Sequence, residues 1–345
     1  MVKALVDELM LRKEYLANSP IETIYFGGGT PSVLSAEELQ MVFEALRQHF
    51  PIDKGAEISL EANPDDLTDD VLSVYRDAGI NRLSIGIQSF DDDVLRSLNR
   101  IHNGMAARRS VEMAQKKGFD NISVDLIYAI PGQDLNHWKA NVKAAVELNP
   151  QHISSYSLTI EEKTMLGKWT KQGKFRATDD DSAADQYDQL VDILQEAGFE
   201  HYEVSNFARP GYRSGHNTSY WLGKHYLGIG PGAHSFNGDS RQFNVRDNRK
   251  YIASLQQGKI PATVELLTAR DKVNEYLLIS LRTCWGVDLT HLRNYFRVDL
   301  FEDHGNYIQN LEKEGLATVT GTTLVLTRKG LLLADEIALN LIPQR

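Results

Sequence analysis

The sequence predicts an α/β protein in which strand–helix units build a parallel sheet, followed by a helical C-terminal module. Three observations support this fold class. Short apolar runs rich in strand-forming residues alternate with segments of helical spacing in the first half of the chain. Glycine or polar residues stand at the C-terminal edge of each run. Beyond about Leu266 the spacing is helical again and surrounds one short hairpin.

Composition and charge exclude several classes of protein. The 345 residues are 42% hydrophobic and 24% charged, which excludes a disordered chain and a fibre. The net charge of −10 argues against a nucleic-acid partner. Met1 opens directly into an amphipathic pattern, and charged residues interrupt the apolar run 330–342. We therefore expect a cytoplasmic protein without a membrane span, which contacts membranes only peripherally through partner proteins.

Five apolar runs predict the strands of the sheet, and they cover residues 23–26, 57–60, 82–87, 122–127 and 152–158. The first intervening helix begins with a capping box, because Ser35 is followed three residues later by Glu38. Gly79 and Gly118 suit the left-handed C-caps of the second and third helices. A fourth helix is predicted over residues 135–148.

The middle of the chain changes in composition. Acidic residues at 179–188 predict the start of a helix that ends at Gly198, and residues 201–204 predict a sixth strand. The stretch 209–238 is dense in glycine, histidine and aromatic residues. The stretch is long and shows neither helical nor strand periodicity, which predicts a loop. Its aromatic residues argue against disorder, so we expect the loop to be functional.

The C-terminal region resembles a winged-helix module in its pattern. Residues 316–320 and 323–327 flank Gly321 and Thr322 as a hairpin, with helical spacing on both sides. Eight basic and ten acidic residues give the segment 271–345 a charge of −2. DNA binding, a common use of such modules, is therefore not expected.

The C-terminal edges of the predicted strands carry residues suited to ligand binding, in order Gly27 to Thr30, Glu61, Gln88, Asp125, and Thr159 with Glu161. Parallel strands place these edges on one side, where ligands bind, so the five together favour one site. A single polar residue at the end of a strand is more often explained by exposure to solvent alone.

Two kinds of group at these edges suggest the ligand's chemistry. The glycine amides could receive a carboxylate, a phosphate or an amino-acid moiety, although a tight turn explains a lone triglycine equally well. The segment is neither a P-loop nor a dinucleotide fingerprint. Glu61 and Asp125 could hold an amine or ribose hydroxyls, or could form a salt bridge within the barrel.

Five motifs in this order carry a family resemblance that covers nearly the whole chain: GGGTP at 27–31, SLEANP at 59–64, GIQSF at 86–90, LNR at 98–100 and DLIYAIPG at 125–132. Together they resemble the radical S-adenosylmethionine branch that contains the oxygen-independent coproporphyrinogen III oxidases and the HemW haem chaperones. HNTSYW at residues 216–221 resembles the His-Asn-x-x-Tyr-Trp signature of the HemW group rather than of the oxidases.

The resemblance implies an incomplete (β/α) radical SAM barrel over residues 1–260, without its first strand and cluster loop, and a HemN-like module over 261–345. It implies that S-adenosylmethionine is bound by Gly28, Gly29, Thr30, Glu61, Gln88, Arg100 and Asp125. In this assignment Glu61 holds the amino group. Arg100 suits a carboxylate because its planar guanidinium pairs bidentately with one.

The cysteine content departs from the family pattern. The family holds a 4Fe–4S cluster with three thiolates of a Cys-x-x-x-Cys-x-x-Cys loop, whereas this sequence contains one cysteine, Cys284. Residues 2–16 resemble the helix that follows that loop, so we expect a truncated sequence or a misplaced start codon. As written, the chain should not assemble the cluster, should bind S-adenosylmethionine weakly at best, and should not generate a deoxyadenosyl radical unaided.

Two functions from different classes remain. The first is a chaperone that binds haem and delivers it to acceptor proteins, with His216 as axial ligand and with Tyr220 and Trp221 beside the porphyrin. The second is an oxygen-independent coproporphyrinogen III oxidase, which performs a radical oxidative decarboxylation in porphyrin biosynthesis. Taken alone, a histidine such as His216 is more often bonded to backbone in a loop. No catalytic residue is identified, and whether the chain is an enzyme stays open.

Overall fold

The computed structural model describes residues 1–160, 165–173 and 177–343, so Glu161 lies outside the described residues. By their internal contacts the residues form two compact units. Unit 1 comprises Met1–Thr23, Ser35–Ala56 and Gly215–Arg345, and unit 2 comprises Ile24–Leu34 and Glu57–Ser214. The domain boundary predicted between residues 260 and 261 stays a prediction.

The main sheet has seven strands in the order β1-β2-β3-β4-β5-β7-β6: β1 (Ile21–Phe26), β2 (Ile52–Ala62), β3 (Arg82–Gln88), β4 (Ile122–Tyr128), β5 (His152–Ser157), β6 (Glu200–Glu203) and β7 (Asn206–Ala208). Strands β2 to β5 are parallel, as predicted. Strand β7 runs antiparallel to β5 and to β6, so the predicted sixth strand forms a hairpin rather than another strand–helix unit. The sheet is open because different strands form its two edges.

The parallel part of this sheet has one apolar and one polar face, because side chains alternate along each strand. One face carries the fully buried side chains of Leu60, Leu83, Ile85, Val124 and Ile153. Strand register places the polar side chains together on the other face, which carries Glu61, Ser84, Ser123, Asp125, His152 and Ser154. This second set is called the polar face below.

Helices α1 to α8 accompany the sheet strands along the chain: α1 (Val2–Leu11), α2 (Ala36–His49), α3 (Asp69–Ala78), α4 (Asp92–Ser97), α5 (Gly104–Lys116), α6 (Leu135–Glu147), α7 (Met165–Lys171) and α8 (Asp180–Glu196). The predicted capping box of α2 is present, with Ser35 and Glu38 bonding reciprocally. Gly79 caps α3 in the left-handed conformation with φ of 100°, and Asp179 caps α8. The four predicted crossover helices are confirmed.

Helix α1 belongs to unit 1 through a buried charged network. The carboxylate of Glu8, which is fully buried, accepts hydrogen bonds from Gly230 N at 2.9 Å, Asn244 Nδ2 at 2.7 Å and the Tyr251 hydroxyl at 2.5 Å. Arg12 lies 3.6 Å from Glu8. A buried carboxylate is tolerated because donors and an opposite charge surround it.

The stretch 209–238, predicted to be one long loop, instead contains short regular elements. They are α9 (Gly215–Trp221) and β8 (His234–Phe236), and they are followed by β9 (Ser240–Asn244), α10 (Asn248–Gln256) and β10 (Ala262–Leu266). Strands β10, β9 and β8 form an antiparallel sheet. The high glycine content reflects the turns: a Cβ on Gly228 would overlap the backbone of His234.

The C-terminal module contains α11 (Ala269–Ser280), β11 (Val287–Asp288), α12 (Leu289–His291), a π-helical turn (Leu292–Phe296), α13 (Leu300–Lys313), β12 (Ala317–Thr320), β13 (Thr323–Leu326), α14 (Arg328–Leu331) and α15 (Ala334–Asn340). The predicted hairpin β12–β13 is present, and β11 adds a third strand. Its core is formed by fully buried side chains that include Leu277, Leu292, Ile308, Leu324 and Leu341. Nowhere in the described ranges does a helix have the length and apolar character needed to cross a bilayer.

Candidate functional site

The glycine segment after β1 lies against the carboxylate of Glu61. Gly28, with φ of 76°, donates its amide to Glu61 Oε2 at 3.2 Å, and the Tyr25 hydroxyl donates to Oε1 at 2.6 Å. A Cβ on Gly27 would lie 2.7 Å from Glu61 Oε1, so glycine permits this close approach. Burial and then the Glu61 charge raise the pKa of Tyr25 above its usual value, which keeps the hydroxyl protonated as a donor.

Asp125 lies in the middle of the polar face among serine hydroxyls. Its carboxylate accepts from Ser84 Oγ at 3.1 and 3.0 Å and from Ser123 Oγ at 3.3 Å. Burial raises the pKa of Asp125 to about 6, hydrogen bonds from Ser84, Ser154 and Ser123 oppose this shift, and the Glu61 charge reinforces it. At neutral pH the group is mainly a carboxylate, which can accept hydrogen bonds from further hydroxyl groups.

Gln88 ends β3 in an unusual backbone conformation. Its φ is 68°, and the register between β3 and β4 shifts between Ile85 and Gln88. A Cβ on Gly86 would lie 2.9 Å from Gln88 Nε2, so the amide folds back over its own strand. Because Gly86 lies on the same strand face as Ser84, the Gln88 amide lies over the polar face.

Arg100 lies within electrostatic reach of the same face. Its Nη1 donates to Asn63 Oδ1 at 3.2 Å. Burial lowers the pKa of Arg100, while the charges of Asp65 and Asp125 raise it. The guanidinium nevertheless stays charged, since its usual value is far above neutral pH. Unit 2 therefore places the Arg100 guanidinium within electrostatic range of the Asp125 carboxylate.

The glycine segment beyond Gly28 is open. Neither Gly28 nor Gly29 has an atom within 4 Å of the place that a Cβ would occupy. Thr30 is exposed. The structure thus brings together Gly28, Glu61, Gln88, Arg100 and Asp125, and leaves Gly29 and Thr30 at the rim.

Several residues of this site were not predicted from the sequence. Tyr25 positions Glu61, and Ser84, Ser123 and Ser154 surround Asp125. For Ser84 and Ser123 the sequence carries a signal, because polar and apolar residues alternate over 82–88 and 122–125. The predicted site is built on residues at the strand ends, whereas these serines lie elsewhere on the strands of the polar face.

His216 lies on helix α9 and not on a loop, which corrects the prediction for its setting. Its Nδ1 lies 3.0 Å from Thr23 Oγ1, and its ring meets that of Tyr220 edge-on with centroids 4.9 Å apart. Tyr220 in turn contacts Tyr226, with centroids 4.6 Å apart. His216 and Trp221 are half-buried, whereas Tyr220 is 41% exposed. The imidazole is therefore held in one orientation within unit 1.

Comparison with known proteins decides the family. Residues 3–145 match the Radical SAM superfamily, and residues 267–333 match the HemN C-terminal domain. The "Heme chaperone HemW" of Lactococcus lactis is 34% identical over 97% of this chain and 88% of its own length. The protein of the same name from Mycobacterium tuberculosis is 36% identical over 98% of this chain and 85% of its own length. The chain belongs to the HemW family of radical SAM proteins.

The fold of a solved relative agrees with this assignment. The coproporphyrinogen III oxidase HemN from Escherichia coli, described as a radical SAM enzyme, superposes with a TM-score of 0.83 at 25% identity, over 99% of this chain and 82% of that chain. The predicted family and the predicted α/β radical SAM fold, an incomplete barrel with a helical C-terminal region, are both confirmed. The roles of the individual site residues stay predictions.

The polar face of this HemW-family chain suits S-adenosylmethionine in its chemistry. The ligand carries an ammonium, a carboxylate and ribose hydroxyls. Unit 2 offers the carboxylates of Glu61 and Asp125 and the guanidinium of Arg100 in one region, with open space above Gly28. Acceptors for the ammonium and hydroxyls and a cation for the carboxylate are therefore all present.

The residues of the chain do not fit a 4Fe–4S cluster. Such a cluster needs three or four thiolates, whereas the 345 residues contain one cysteine, Cys284, which is exposed in unit 1. Within the described ranges no three His, Cys, Asp or Glu side chains are grouped so that they could hold a metal ion. These residues alone therefore carry no step that requires the cluster.

Proposed function

We propose that this chain is a cytoplasmic chaperone that binds haem and delivers it to acceptor proteins. The observation that carries the proposal is the helix α9, which presents the HemW-type signature of residues 216–221 with the imidazole of His216 held by Thr23. The name shared by the relatives, heme chaperone HemW, supports the same function. Haem is the cargo of the protein and not its resident cofactor.

His216 is proposed to coordinate the haem iron. Ligating histidines are usually oriented by a partner on the other ring nitrogen, and the contact of Nδ1 with Thr23 supplies such a partner. Coordination would then use Nε2. The exposed ring of Tyr220, which meets His216 edge-on, offers an apolar surface to the porphyrin.

S-adenosylmethionine is proposed as the ligand of the polar face in unit 2. Glu61 binds its amino group, Arg100 its carboxylate, and Asp125 with Gln88 its ribose, while Gly28, Gly29 and Thr30 contact the methionyl end. When bound, this cofactor supplies an adenosyl group on an activated sulfonium. The Tyr25 hydroxyl keeps Glu61 in place without neutralising it, because the tyrosine stays protonated.

A haem titration followed in the Soret region tests the proposed function. The wild-type chain is expected to shift the Soret band of haem, and His216→Ala is expected to weaken binding at that site at least about tenfold. His137→Ala is the matched control, because this exposed histidine lies on α6 in unit 2. A wild-type chain that leaves the haem spectrum unchanged would contradict the chaperone function.

The second candidate is an oxygen-independent coproporphyrinogen III oxidase, which the structural match to HemN favours. The oxidase needs radical chemistry and therefore a cluster, for which these residues supply one cysteine. Incubation with coproporphyrinogen III, S-adenosylmethionine and a reductant is expected to release no carbon dioxide. Turnover by the 345-residue chain would favour the oxidase over the chaperone.

A further inference from the structure

The polar face of unit 2 contains a buried histidine to which the proposed function gives no role. His152 on β5 is fully buried, with Nδ1 2.8 Å from Ser123 Oγ and Nε2 2.8 Å from the Tyr202 hydroxyl. Ser123 Oγ lies 3.3 Å from Asp125 Oδ1. Tyr202, His152, Ser123 and Asp125 therefore form a continuous row of hydrogen-bonded groups, called the His152 chain below.

The imidazole of His152 is neutral at physiological pH. Burial lowers the pKa of His152 well below its usual value, and the positive charge of Arg82 lowers it further. A neutral imidazole carries one proton, so one ring nitrogen donates a hydrogen bond and the other accepts one. The direction of the hydrogen bonds in the His152 chain therefore depends on which nitrogen carries that proton.

The carboxylate of Asp125 sets the direction at one end of the chain. A carboxylate only accepts, so the contact with Asp125 uses the single proton of the Ser123 hydroxyl. Ser154 Oγ also lies 3.3 Å from Ser123 Oγ, but a charged carboxylate is a stronger acceptor than a neutral hydroxyl. The Ser123 oxygen is then left to accept from His152, which places the imidazole proton on Nδ1.

The surroundings of Tyr202 favour the same direction at the other end. Burial and the charge of Glu203 raise the pKa of Tyr202, so its hydroxyl is protonated and can donate to His152 Nε2. The backbone of Ser214 forms a hydrogen bond that lowers this pKa, as an N–H that donates to the phenol oxygen does. A proton on Nε2 would add a second donor to the Tyr202 oxygen and would draw the Ser123 proton away from Asp125.

We propose that His152 is a positioning residue for the ligand of the polar face, and that its neutral Nδ1–H tautomer directs the Ser123 hydroxyl toward Asp125. This inference rests on the proposed function, in which Asp125 binds the ribose of S-adenosylmethionine. Donors from Ser84 and Ser123 hold the carboxylate, and its remaining lone pairs are left for the hydroxyls of the ligand. A binding group is held most precisely when its own partners are fixed by further hydrogen bonds.

Other charged and titratable groups around Asp125 stay constant in the test. The charge of Glu61 raises the pKa of Asp125, and the Arg100 guanidinium lies within electrostatic range. Tyr25 and Tyr156 are also coupled to the Asp125 charge, and burial keeps both hydroxyls protonated at neutral pH. Because none of these residues is replaced, a change in the pKa of Asp125 reports on the His152 chain.

The first measurement is ¹⁵N NMR of the full wild-type chain labelled in histidine, because protonated and unprotonated ring nitrogens have well-separated shifts. The His152 signals are identified by their loss in His152→Asn. We expect a protonated Nδ1 and an unprotonated Nε2 at neutral pH. A proton on Nε2 alone, or a charged imidazole, would overturn the inference. This result is read in wild type, so it does not depend on the folding of any variant.

The second measurement is the pKa of Asp125 by ¹³C NMR, with the signal assigned by its loss in Asp125→Asn. Ser123→Ala and His152→Leu should raise this pKa by about 0.5–1, because the carboxylate loses a directed donor. His152→Asn should retain the wild-type value, since its amide can donate to Ser123 from the place of Nδ1.

Ser155→Ala is the matched control for these variants. Ser155 is fully buried on the same strand, and across the described residues its hydroxyl has no hydrogen-bond partner. A merely structural role of His152 would lower the stability of His152→Leu and leave the pKa of Asp125 as in wild type. That outcome would contradict the inference.

Binding of millimolar S-adenosylmethionine, followed by saturation-transfer NMR, separates this inference from the proposed function. Binding to wild type should weaken as the pH falls through about 6, where Asp125 gains a proton, and His152→Leu should lose binding at a higher pH. If the ligand binds but the tautomer is reversed, the role of His152 is wrong and the proposed ligand stands. If the ligand does not bind while tautomer and pKa are as expected, the proposed ligand is wrong, and His152 still directs Ser123 toward Asp125.

Discussion

At the scale of single residues, the polar face contains a buried carboxylate whose loss of hydration is only partly compensated by hydrogen bonds. Asp125 is surrounded by serine hydroxyls rather than by a cation in contact, and its pKa is raised to about 6 from 3.8. Each hydroxyl donates one hydrogen bond, which offsets only part of the cost of removing a carboxylate from water. Such a group costs stability and is retained where ligand binding needs it.

Asp125→Asn should stabilise the folded chain at pH 7.5. The folded-state pKa of Asp125 lies above its unfolded value, so its contribution to stability is present below about pH 4 and is lost as the pH rises through about 6. Replacing the carboxylate by an amide should therefore raise the free energy of unfolding by about 1–2 kcal/mol at pH 7.5 and by little at pH 4.5. Urea unfolding at the two pH values measures this difference.

Asp120→Asn is the matched control for that comparison, because Asp120 is exposed in the same unit. It should change the free energy of unfolding at neither pH. A gain for Asp125→Asn that is equal at both pH values, or larger at pH 4.5, would show that the carboxylate charge is not the cause.

At the scale of elements, the turn between α9 and β8 depends on a glycine that local sequence preference does not explain. Gly228 faces the backbone of His234, and an added Cβ would overlap the carbonyl oxygen. Because the added Cβ would collide with backbone atoms and not with a side chain, β8 itself must move to remove the collision. Gly55 on β2, in the same unit, has only open space beside it.

Gly228→Ala should lower the free energy of unfolding by about 2–4 kcal/mol, the range of severe single substitutions that force the backbone to shift. Gly55→Ala should be neutral or slightly stabilising, since alanine restricts the unfolded chain more than glycine does. Chemical denaturation of the two variants provides the comparison. Equal free energies of unfolding for the two variants would mean that β8 can shift without loss of stability.

Helix α1 offers a second test at this scale. The Glu8 carboxylate receives three donors, from Gly230, Asn244 and Tyr251. In Glu8→Gln an amide NH₂ group would face one of these donors, and Arg12 would lose its counter-charge, so unfolding should become easier by about 2–4 kcal/mol. The exposed Glu14→Gln is the control. Thermal unfolding that does not distinguish the two variants would show that the network adds nothing to stability.

At the scale of the whole molecule, the binding of S-adenosylmethionine is limited by what these residues lack. Glu61, Arg100 and Asp125 provide polar contacts in unit 2, but one cysteine cannot supply a cluster whose iron would chelate the methionyl group. Contacts made by one ligand at several points reinforce each other, so the loss of the chelating point removes much of the affinity.

Isothermal titration calorimetry of the 345-residue chain should therefore give a dissociation constant for S-adenosylmethionine weaker than micromolar. Anaerobic incubation with iron and sulfide should leave this value unchanged, and Cys284→Ser should behave as wild type in both conditions. Micromolar affinity in either condition would show that the polar face binds the cofactor without the chelating iron.

The sequence by itself determined the parallel strands, the crossover helices with their caps, the C-terminal hairpin and the family, because these features depend on residues near each other in the chain or on contiguous motifs. Only the tertiary structure decided that residues 209–238 contain α9 and β8, since a three-residue strand is too short to show a period and is stabilised by its pairing with β9. It likewise decided that Tyr25 holds Glu61, that Thr23 holds His216, and that Tyr276 joins His291. These contacts join residues 15 or more positions apart, and side-chain chemistry at such separation leaves no periodic signal in the sequence.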